Sequence, residues 1–363
     1  MLHQKAHKQL EKSFRKFVKR DRKIENAYLL VHSDELDIHL KLAEGGKEDV
    51  TVHPDQPYYI ANIHKLYTAV IVAMLEQEGK ISYEDPISEY LDEELLQGLH
   101  VLKRFNYTSL IQVKHLLNHS SGLSDFLEDK PVNNGKPLIH KLLEERIEPI
   151  TKEEVIEWSK ENLTAHFPPG DGFHYSYTGY LLLSLIIEKI TARPYYEVLH
   201  DYIIKPLNMD ETYVFHHLEP ALKSEHPLVK TYVHDVDVTK NNHIGFDDVS
   251  GRMVSTSENL LKLMKGLVNY QLLERDNLNR MAEWIQYPIG VDYGYGILKI
   301  KDTFGLMPQK YNAWGNIGLT GSFVFYHMEL ETYFIGTINT FRQHKDSIVL
   351  LKELVDIIYK YKK

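Results

Sequence analysis

The sequence predicts an α+β fold in which strands from both ends of the chain form one antiparallel sheet with flanking helices and a largely helical lobe. Strand-like runs lie near the N-terminus, helical apolar spacing dominates from Ile60 to about Leu273, and strand-like runs return afterwards. No internal repeat or linker interrupts the chain. We therefore expect one domain over 1–363, with a sheet lobe of about 1–58 and 285–363 and a helical lobe of about 59–284.

The N-terminal part combines a helix and a hairpin. Leu10, Phe14, Phe17 and Val18 make a narrow apolar stripe in a segment rich in Lys and Arg. A stripe of this kind favours a helix packed on the protein's own core over a membrane-surface helix. Residues 27–45 then give two β-like runs around a polar turn, which predicts a β-hairpin.

The middle of the chain has five stretches of helical spacing, with Gly79, Gly122 and Pro206 at or near their ends. They cover residues 64–80, 113–123, 151–163, 178–207 and 257–273. Strand-like runs follow at 293–301, 321–329 and 332–341, and an amphipathic helix is predicted over 347–361.

Composition narrows the classes of function. With 42 basic and 51 acidic residues the net charge is −9, which argues against a nucleic-acid-coating protein and favours a small molecule or peptide as ligand. The absence of cysteine excludes disulfides, a thiol nucleophile and thiolate metal sites. No apolar run is long enough to span a membrane. The first residues lack a secretory signal, so we expect a cytoplasmic chain, or an extracytoplasmic one if a leader precedes this sequence.

Several phrases of the sequence carry a family resemblance. They include "YYIANIHKLYTAVIVAMLEQEGKISYEDPISEYL", "VKHLLNHSSGLSDF", "FPPGDGFHYSYTGYLLLSLIIEKIT" and "GNIGLTGSFVFY". From about residue 10 to 355 the chain resembles the serine β-lactamase and penicillin-binding-protein-like family, with its esterase and D-aminopeptidase branches. This resemblance implies a β-lactamase/transpeptidase-like fold with a cleft where the sheet meets the helical lobe.

The first catalytic element of that family is Ser-x-x-Lys at the start of a helix. The matching residues here are Asn62-Ile63-His64-Lys65, so the lysine is present and the serine is replaced. A carboxamide is a poor nucleophile, because its nitrogen lone pair is delocalised. The alternative interpretation is that Asn62 caps a helix beginning near Ile63.

The second element of the family is Tyr-x-Asn, which corresponds to Tyr175-Ser176-Tyr177. The resemblance implies a catalytic role for Tyr175 and a substrate-binding position at Tyr177, where a phenol replaces the family's amide. Alternatively, both tyrosines only pack in the core.

The third element is Lys or His, then Thr or Ser, then Gly, and the matching run is Asn316-Ile317-Gly318. The resemblance implies that these three residues and Leu319 bind substrate, with Gly318 allowing it to approach the strand. The backbone N–H groups of Asn62 and Leu319 are then expected to form an oxyanion pocket. The alternative is a glycine-punctuated core strand.

Other candidate groups give weaker signals. Ser120, Ser121, Ser176 and Ser255 are possible substitute nucleophiles but match turns and packing positions, and His64 points away from Lys65 on a helix. His115 and His119 have i, i+4 spacing without the glutamate of a zinc-protease motif, and residues 234–242 lack the pattern of a calcium loop. No dinucleotide or phosphate motif occurs. We therefore expect neither a metal nor a cofactor.

Three functional hypotheses follow. The first is a non-acylating homologue that binds a peptide, a cell-wall-like fragment or an ester-like ligand, with Lys65 paired to Tyr175 or to the Asn62 oxygen. The second is an active esterase, peptidase or β-lactamase that uses another nucleophile, or a variant in which Asn62 replaces a native serine. The third is a structural role without an occupied cleft. The sequence leaves the oligomeric state open.

Overall fold

The structure is a computed structural model of the chain. It describes residues 2–21, 23–45, 52–140, 151–215, 217–233, 236–237, 239, 252–287, 291–300, 309–341 and 344–362.

Within the described residues, fifteen strands are numbered in chain order. They are β1 Asn26–Ser33, β2 Ile38–Gly45, β3 Tyr58–Tyr59, β4 Val101–Leu102, β5 Phe105–Asn106, β6 Tyr213–Val214, β7 Tyr232–Val233, β8 Val236–Asp237, β9 Met253–Ser255, β10 Ile285–Tyr287, β11 Val291–Tyr293, β12 Leu298–Ile300, β13 Ala313–Ile317, β14 Ser322–His327 and β15 Thr332–Thr337.

The ten α-helices that the described ranges contain are numbered in the same way. They are α1 Leu2–Arg20, α2 His64–Gln77, α3 Glu93–Leu96, α4 Val113–Leu117, α5 Lys152–Asn162, α6 Tyr177–Thr191, α7 Tyr195–Leu199, α8 Ser257–Val268, α9 Arg275–Arg280 and α10 His344–Tyr359. Short 3₁₀-helices cover Ala61–Ile63, Ile87–Glu89, Thr108–Leu110 and Gln309–Tyr311, and a π-helical turn covers His200–Ile204.

Both ends of the chain form one eight-stranded sheet, as the sequence predicts. Its strand order is β10-β11-β12-β13-β14-β15-β1-β2, and every neighbouring pair is antiparallel. Strand β1, next to the edge strand β2, pairs through Val31 with Leu40 of β2 on one side and with Phe334 of β15 on the other. The predicted α+β, β-lactamase/transpeptidase-like fold is therefore confirmed, and so is the N-terminal hairpin.

The two faces of the sheet bury two different cores. Leu29 and Val31 belong to the core that includes α1 and α10, whereas Tyr28 and Leu30 belong to the core of the helical lobe. This alternation follows from the two-residue period of a strand. The four apolar residues of the N-terminal stripe are all buried in the first core, which confirms that this helix packs on the protein itself (Leu10, Phe14, Phe17 and Val18).

The helical segments are shorter than the sequence predicts. The helix expected over 113–123 ends at Leu117, because His119 has a left-handed backbone with φ of 61°. The stretch 178–207 divides into α6, α7 and the π-helical turn, with a second left-handed residue at Ala192. Within the described residues, no helix has the length and apolar character needed to cross a membrane.

A small second sheet, which the sequence analysis did not predict, leads the chain into the candidate site. Its strand order is β3-β9-β6. The Tyr58 hydroxyl and the Ser257 hydroxyl are 2.9 Å apart, which ties β3 to the start of α8. Strand β3 ends at Tyr59, and the 3₁₀-helix that contains Asn62 begins at Ala61. The small sheet therefore positions Asn62, the residue that matches the family's nucleophile.

Candidate active site

Asn62 lies in a short, tightly held turn between β3 and α2. The turn begins at Ala61, whose φ of 46° is in the left-handed region that alanine seldom adopts. The His64 Nδ1–H donates to the Ala61 carbonyl over 2.8 Å, and the Ser322 hydroxyl donates to the Ile60 carbonyl over 2.8 Å. The buried His64 side chain therefore stabilises the turn through this hydrogen bond. Because such a backbone costs about 1–3 kcal/mol, surrounding contacts must hold it in place.

The Asn62 side chain bonds to a tyrosine. Its Oδ1 accepts a hydrogen bond from the Tyr177 hydroxyl at the start of α6. The residue before α2 is Ile63, and no side chain of the described residues caps that helix. The capping interpretation of Asn62 is therefore wrong, because the carboxamide oxygen is used by the phenol.

Lys65 is fully buried one turn further along α2. Its Nζ lies 3.5 Å from the ring centroid of Tyr177 and 5.1 Å from that of Tyr175, and within the described residues it has no hydrogen-bond partner. The predicted pairing with the Asn62 oxygen is therefore wrong, and the alternative pairing with Tyr175 is a contact with the ring face and not a hydrogen bond. Burial holds the pKa of this amine well below its usual range, against the opposing effect of the charge on Asp125.

Asp125 is the acidic group that acts on Lys65. It is 3% exposed, and burial raises the pKa of its carboxyl to about 7. Its Oδ1 accepts the backbone N–H of Leu127 at 2.9 Å and that of Tyr177 at 3.4 Å. Sequence reasoning missed Asp125, although it lies inside the recognised phrase "VKHLLNHSSGLSDF", because nothing in that phrase shows which side chain faces the lysine.

His119 completes the buried surroundings of Lys65. Its ring centroid lies 4.2 Å from that of Tyr175 and 4.7 Å from that of Tyr293. Its Nδ1 accepts the backbone N–H of Ser176 at 3.1 Å, so the proton of the neutral ring is on Nε2. Burial, with the nearby Lys65, lowers the pKa of the imidazole well below its ordinary value. His119 therefore holds the Tyr175 segment in place as a neutral acceptor.

A cavity of about 110 Å³ opens beside Asn62. Its lining is largely apolar and consists of Asn62, Tyr175, Val291, Tyr293, Leu298, Asn316, Ile317, Gly318, Leu319, Phe325 and Ile348. The structure thus brings together six of the eight site residues selected from the sequence. Lys65 and Tyr177 do not line the cavity. The Tyr177 hydroxyl bonds to Asn62, and the Lys65 amine contacts the Tyr177 ring.

The Asn316–Gly318 run is engaged by the protein itself. The Asn316 Nδ2 donates to the Gly296 carbonyl at 2.7 Å, and its Oδ1 accepts the Ile317 N–H at 2.6 Å. A Cβ at Gly318 would lie 2.2 Å from the Ser322 Oγ and 2.8 Å from the Ile60 carbonyl oxygen. The close approach that Gly318 permits is therefore between this strand end and the Asn62 turn, whereas the sequence attributed it to substrate.

Two backbone donors border the cavity. Within the described part of the chain, neither the Asn62 N–H nor the Leu319 N–H donates to a protein acceptor. Both residues belong to the lining of the same cavity. Unused donors of this kind suit a carbonyl or carboxylate oxygen of a ligand.

The other candidate nucleophiles form hydrogen bonds that do not activate them. The hydroxyls of Ser120, Ser176 and Ser255 bond to the Asn118 side chain, the Ser124 carbonyl and the Thr212 hydroxyl, and that of Ser121 accepts the Leu123 N–H. Within the described residues, none of the four bonds to an imidazole or a carboxylate. His115 and His119 share no helix face, since α4 ends between them. Most of 234–242 lies outside the described residues.

Comparisons with known proteins agree with this fold. The Beta-lactamase family model matches residues 13–355. Penicillin-binding protein 4* of Bacillus subtilis is 26% identical over 253 residues, which cover 66% of this chain and 51% of that protein. The chain spans about half the length of the curated relatives it matches.

Solved structures match over almost the whole chain. A D-stereospecific amidohydrolase from Streptomyces sp. has a TM-score of 0.75 and 25% identity, with 94% of this chain and 97% of that chain covered. The D-amino acid amidase from Ochrobactrum anthropi SV3 complexed with D-phenylalanine has a TM-score of 0.76 and 19% identity, with 99% and 100% covered. On the extent of the family match, the chain belongs to the beta-lactamase family.

Proposed function

We propose that this member of the beta-lactamase family forms no acyl-enzyme at position 62 and instead binds a peptide, a cell-wall-like fragment or a small ester-like ligand. One observation carries the proposal. Where the family has a serine, the chain has Asn62, and its side-chain oxygen accepts the hydroxyl of Tyr177. The chain acts as one domain, with the ligand between a sheet lobe of about 1–58 and 285–363 and a helical lobe of about 59–284.

The chemistry of Asn62 supports the absence of acylation. A carboxamide has no proton whose removal would create a useful nucleophile. Lys65 cannot compensate, because its amine contacts the Tyr177 ring and no hydroxyl. Removing the nucleophile of a serine hydrolase typically lowers kcat about 10⁶-fold. Lys65 and Tyr175 therefore occupy catalytic positions of the family without a nucleophile to assist.

The cavity supports ligand binding. An engineered apolar cavity of about 150 Å³ admits benzene, so a volume of about 110 Å³ suits an apolar side chain or short acyl group. In this proposal Ile317 and Leu319 contact that group, and the N–H groups of Asn62 and Leu319 bind its carbonyl oxygen. Tyr177 and Asn316 contribute indirectly, because Tyr177 bonds to the Asn62 side chain and Asn316 bonds to the Gly296 carbonyl.

Hydrolysis of nitrocefin and of p-nitrophenyl acetate and butyrate, followed by intact mass spectrometry, tests the proposal. The wild-type chain and Asn62→Ser are compared, with Asn62→Ala as the matched control that has neither amide nor hydroxyl. We expect no turnover and no adduct for the wild type and Asn62→Ala. Turnover or an acyl adduct in both would show that another nucleophile acts, and would refute the proposal.

The Asn62→Ser variant distinguishes two explanations for the expected absence of acylation. A gain of an acyl adduct would show that the rest of the cleft is competent and that residue 62 alone prevents acylation. Inactivity would assign part of the loss to Tyr177 and to Asn316-Ile317, where the family's amide and its Lys/His and Thr/Ser side chains are replaced.

Binding is tested separately from hydrolysis. The D-amino acid amidase structures contain D-phenylalanine and L-phenylalanine amide, which makes D- and L-phenylalanine amide a suitable pair of probes. We expect a saturable rise in melting temperature with one of them, and its loss in Leu319→Trp, whose larger side chain fills the cavity. A thermal response that Leu319→Trp leaves unchanged would place the ligand elsewhere.

A further inference from the structure

Two histidines and a carboxylate converge on the helical-lobe side of the molecule, outside the cavity beside Asn62. His166 Nε2 lies 2.8 Å and His174 Nε2 lies 3.1 Å from the same oxygen, Oδ2 of Asp129. The two imidazole rings are stacked, with centroids 3.6 Å apart and planes 27° apart. The three donor atoms all lie within 4.8 Å of one another.

The spacing of these atoms is close to that of a metal site. In a tetrahedral zinc site with bonds of about 2.0–2.1 Å, neighbouring ligand atoms are about 3.3 Å apart. The two N···O distances of 2.8 and 3.1 Å need to lengthen by only a few tenths of an ångström to reach that value. Both imidazole side chains are partly exposed, 37% for His166 and 25% for His174.

Each of the three residues makes a further hydrogen bond that holds it in place. The Asp129 Oδ2 accepts the Asp125 N–H at 2.8 Å. The His166 N–H donates to the Gly122 carbonyl and the His174 N–H to the His119 carbonyl, each at 2.9 Å. The two histidines are thereby anchored to one short stretch, residues 119–122, and the carboxylate is oriented in the way that bound metal ligands usually are.

The electrostatics also suit a cation. Among the ion pairs of the described residues, Asp129 pairs with these two imidazoles and with no lysine or arginine. The His166 side chain is 37% exposed, so an ion and its water have access. A shared divalent cation would satisfy the carboxylate and both ring nitrogens at once.

We propose that Asp129, His166 and His174 form a binding site for a zinc-class divalent transition metal, with water completing the coordination. Imidazole nitrogen with one carboxylate oxygen is a ligand set that suits Zn²⁺, Co²⁺, Ni²⁺ and Cu²⁺ better than Mg²⁺ or Ca²⁺. The site joins the loop at Asp129 to the segment 166–174, which leads directly into Tyr175. Metal binding therefore stabilises the segment that lines one side of the cavity.

The experiment uses protein freed of metal with a chelator and then titrated with Co²⁺, whose visible absorption reports coordination, and with Zn²⁺ in competition. We expect saturable binding of about one equivalent of Co²⁺ and its displacement by Zn²⁺. His166→Gln, His174→Gln and Asp129→Asn should each weaken binding about tenfold or more. The matched control is His226→Gln, since His226 stacks on His53 with ring centroids 3.7 Å apart and should not affect the absorption.

Two results would overturn this proposal. One is the absence of saturable binding, and the other is binding that persists in all three ligand variants or disappears in His226→Gln. Circular dichroism of each variant in chelator verifies folding. If a variant does not fold, chemical modification of the wild type tests the site instead. Zn²⁺ should protect His166 and His174, and not His226, from modification by diethyl pyrocarbonate. Equal modification of His166 and His174 with and without Zn²⁺ would refute the site.

Discussion

Two groups of polar side chains in the helical lobe differ in how their charges are satisfied. In the Lys65 cluster, made of Lys65, Tyr175, Tyr177 and His119, a buried amine contacts aromatic rings and has no hydrogen-bond acceptor within the described residues. In the Asp129 cluster, made of Asp129, His166 and His174, one carboxylate oxygen meets two imidazoles that solvent can reach.

The difference shows what each cluster contributes. A buried donor without an acceptor costs about 1–3 kcal/mol, so Lys65 lowers the stability of the fold that contains it. The Asp129 cluster has satisfied polar groups and costs the fold little. The Lys65 cluster lowers stability and still matches the family's arrangement, which suggests a past or present function. The Asp129 cluster has one carboxylate oxygen and two imidazole nitrogens that an added metal ion could bind.

The largest predicted effect tests the cost of the Lys65 amine. Lys65→Met keeps the length of the buried side chain and removes the amine, whereas Lys65→Ala leaves a cavity. Since truncating a buried long side chain to alanine costs about 2–5 kcal/mol, we expect Lys65→Met to be more stable than Lys65→Ala by that amount. Relative to wild type, Lys65→Met should raise the melting temperature.

Urea unfolding of the three proteins measures this difference. Lys103→Met at an exposed position controls for a general effect of removing a positive charge. Equal losses in Lys65→Met and Lys65→Ala would show that the amine has a stabilising partner, and the contrast between the two clusters would fail.

The second effect concerns Asp125, which lies between the clusters. Burial raises the pKa of its carboxyl from 3.8 to about 7, so the native state binds this proton more tightly than the unfolded chain. The resulting stability is fully present below about pH 4 and is lost as the pH rises through 7. At 1.36 kcal/mol per pKa unit, the change is at most about 4 kcal/mol.

Asp125→Asn should therefore gain stability relative to wild type as the pH is raised from 4 to 8, while keeping an oxygen for the Leu127 N–H. Thermal unfolding across that range tests the expectation, with the exposed Asp171→Asn as the control for losing one negative charge. Parallel curves for Asp125→Asn and wild type would show that the Asp125 carboxyl titrates alike in the folded and unfolded states.

Sequence reasoning recovered the Lys65 cluster in part and missed the Asp129 cluster, for one physical reason. Asn62 and Lys65 lie three residues apart, as do the family residues they match, so a short spacing identifies them. Asp129 and His174 are 45 residues apart and meet only because the backbone of 166–174 bonds to residues 119–122.

The fold was easier to predict than the contacts of individual side chains. Alternation in β1 and the apolar stripe of α1 follow from the periods of a strand and a helix, which the sequence displays. The hydrogen bond of Asn62 to Tyr177, the early end of α4 and the burial of Asp125 depend on tertiary neighbours. These contacts decide the chemistry, which is why the family was identified while the capping by Asn62 and the pairing of Lys65 with the Asn62 oxygen were predicted wrongly.

The smallest effect is expected at His166, and it tests whether the Asp129 cluster, without a metal ion, contributes little to stability. Its side chain is 37% exposed, and exposed ion pairs contribute about 0–1 kcal/mol, so His166→Gln in chelator should change stability by less than about 1 kcal/mol. With Zn²⁺ at 100 times its dissociation constant, the wild type should gain about 2.7 kcal/mol and the variant much less. Unfolding measured with chelator and with Zn²⁺ separates the two contributions. A large loss for His166→Gln in chelator would mean that the imidazole supports the fold itself, so that the Asp129 cluster would be structural before it binds any ion.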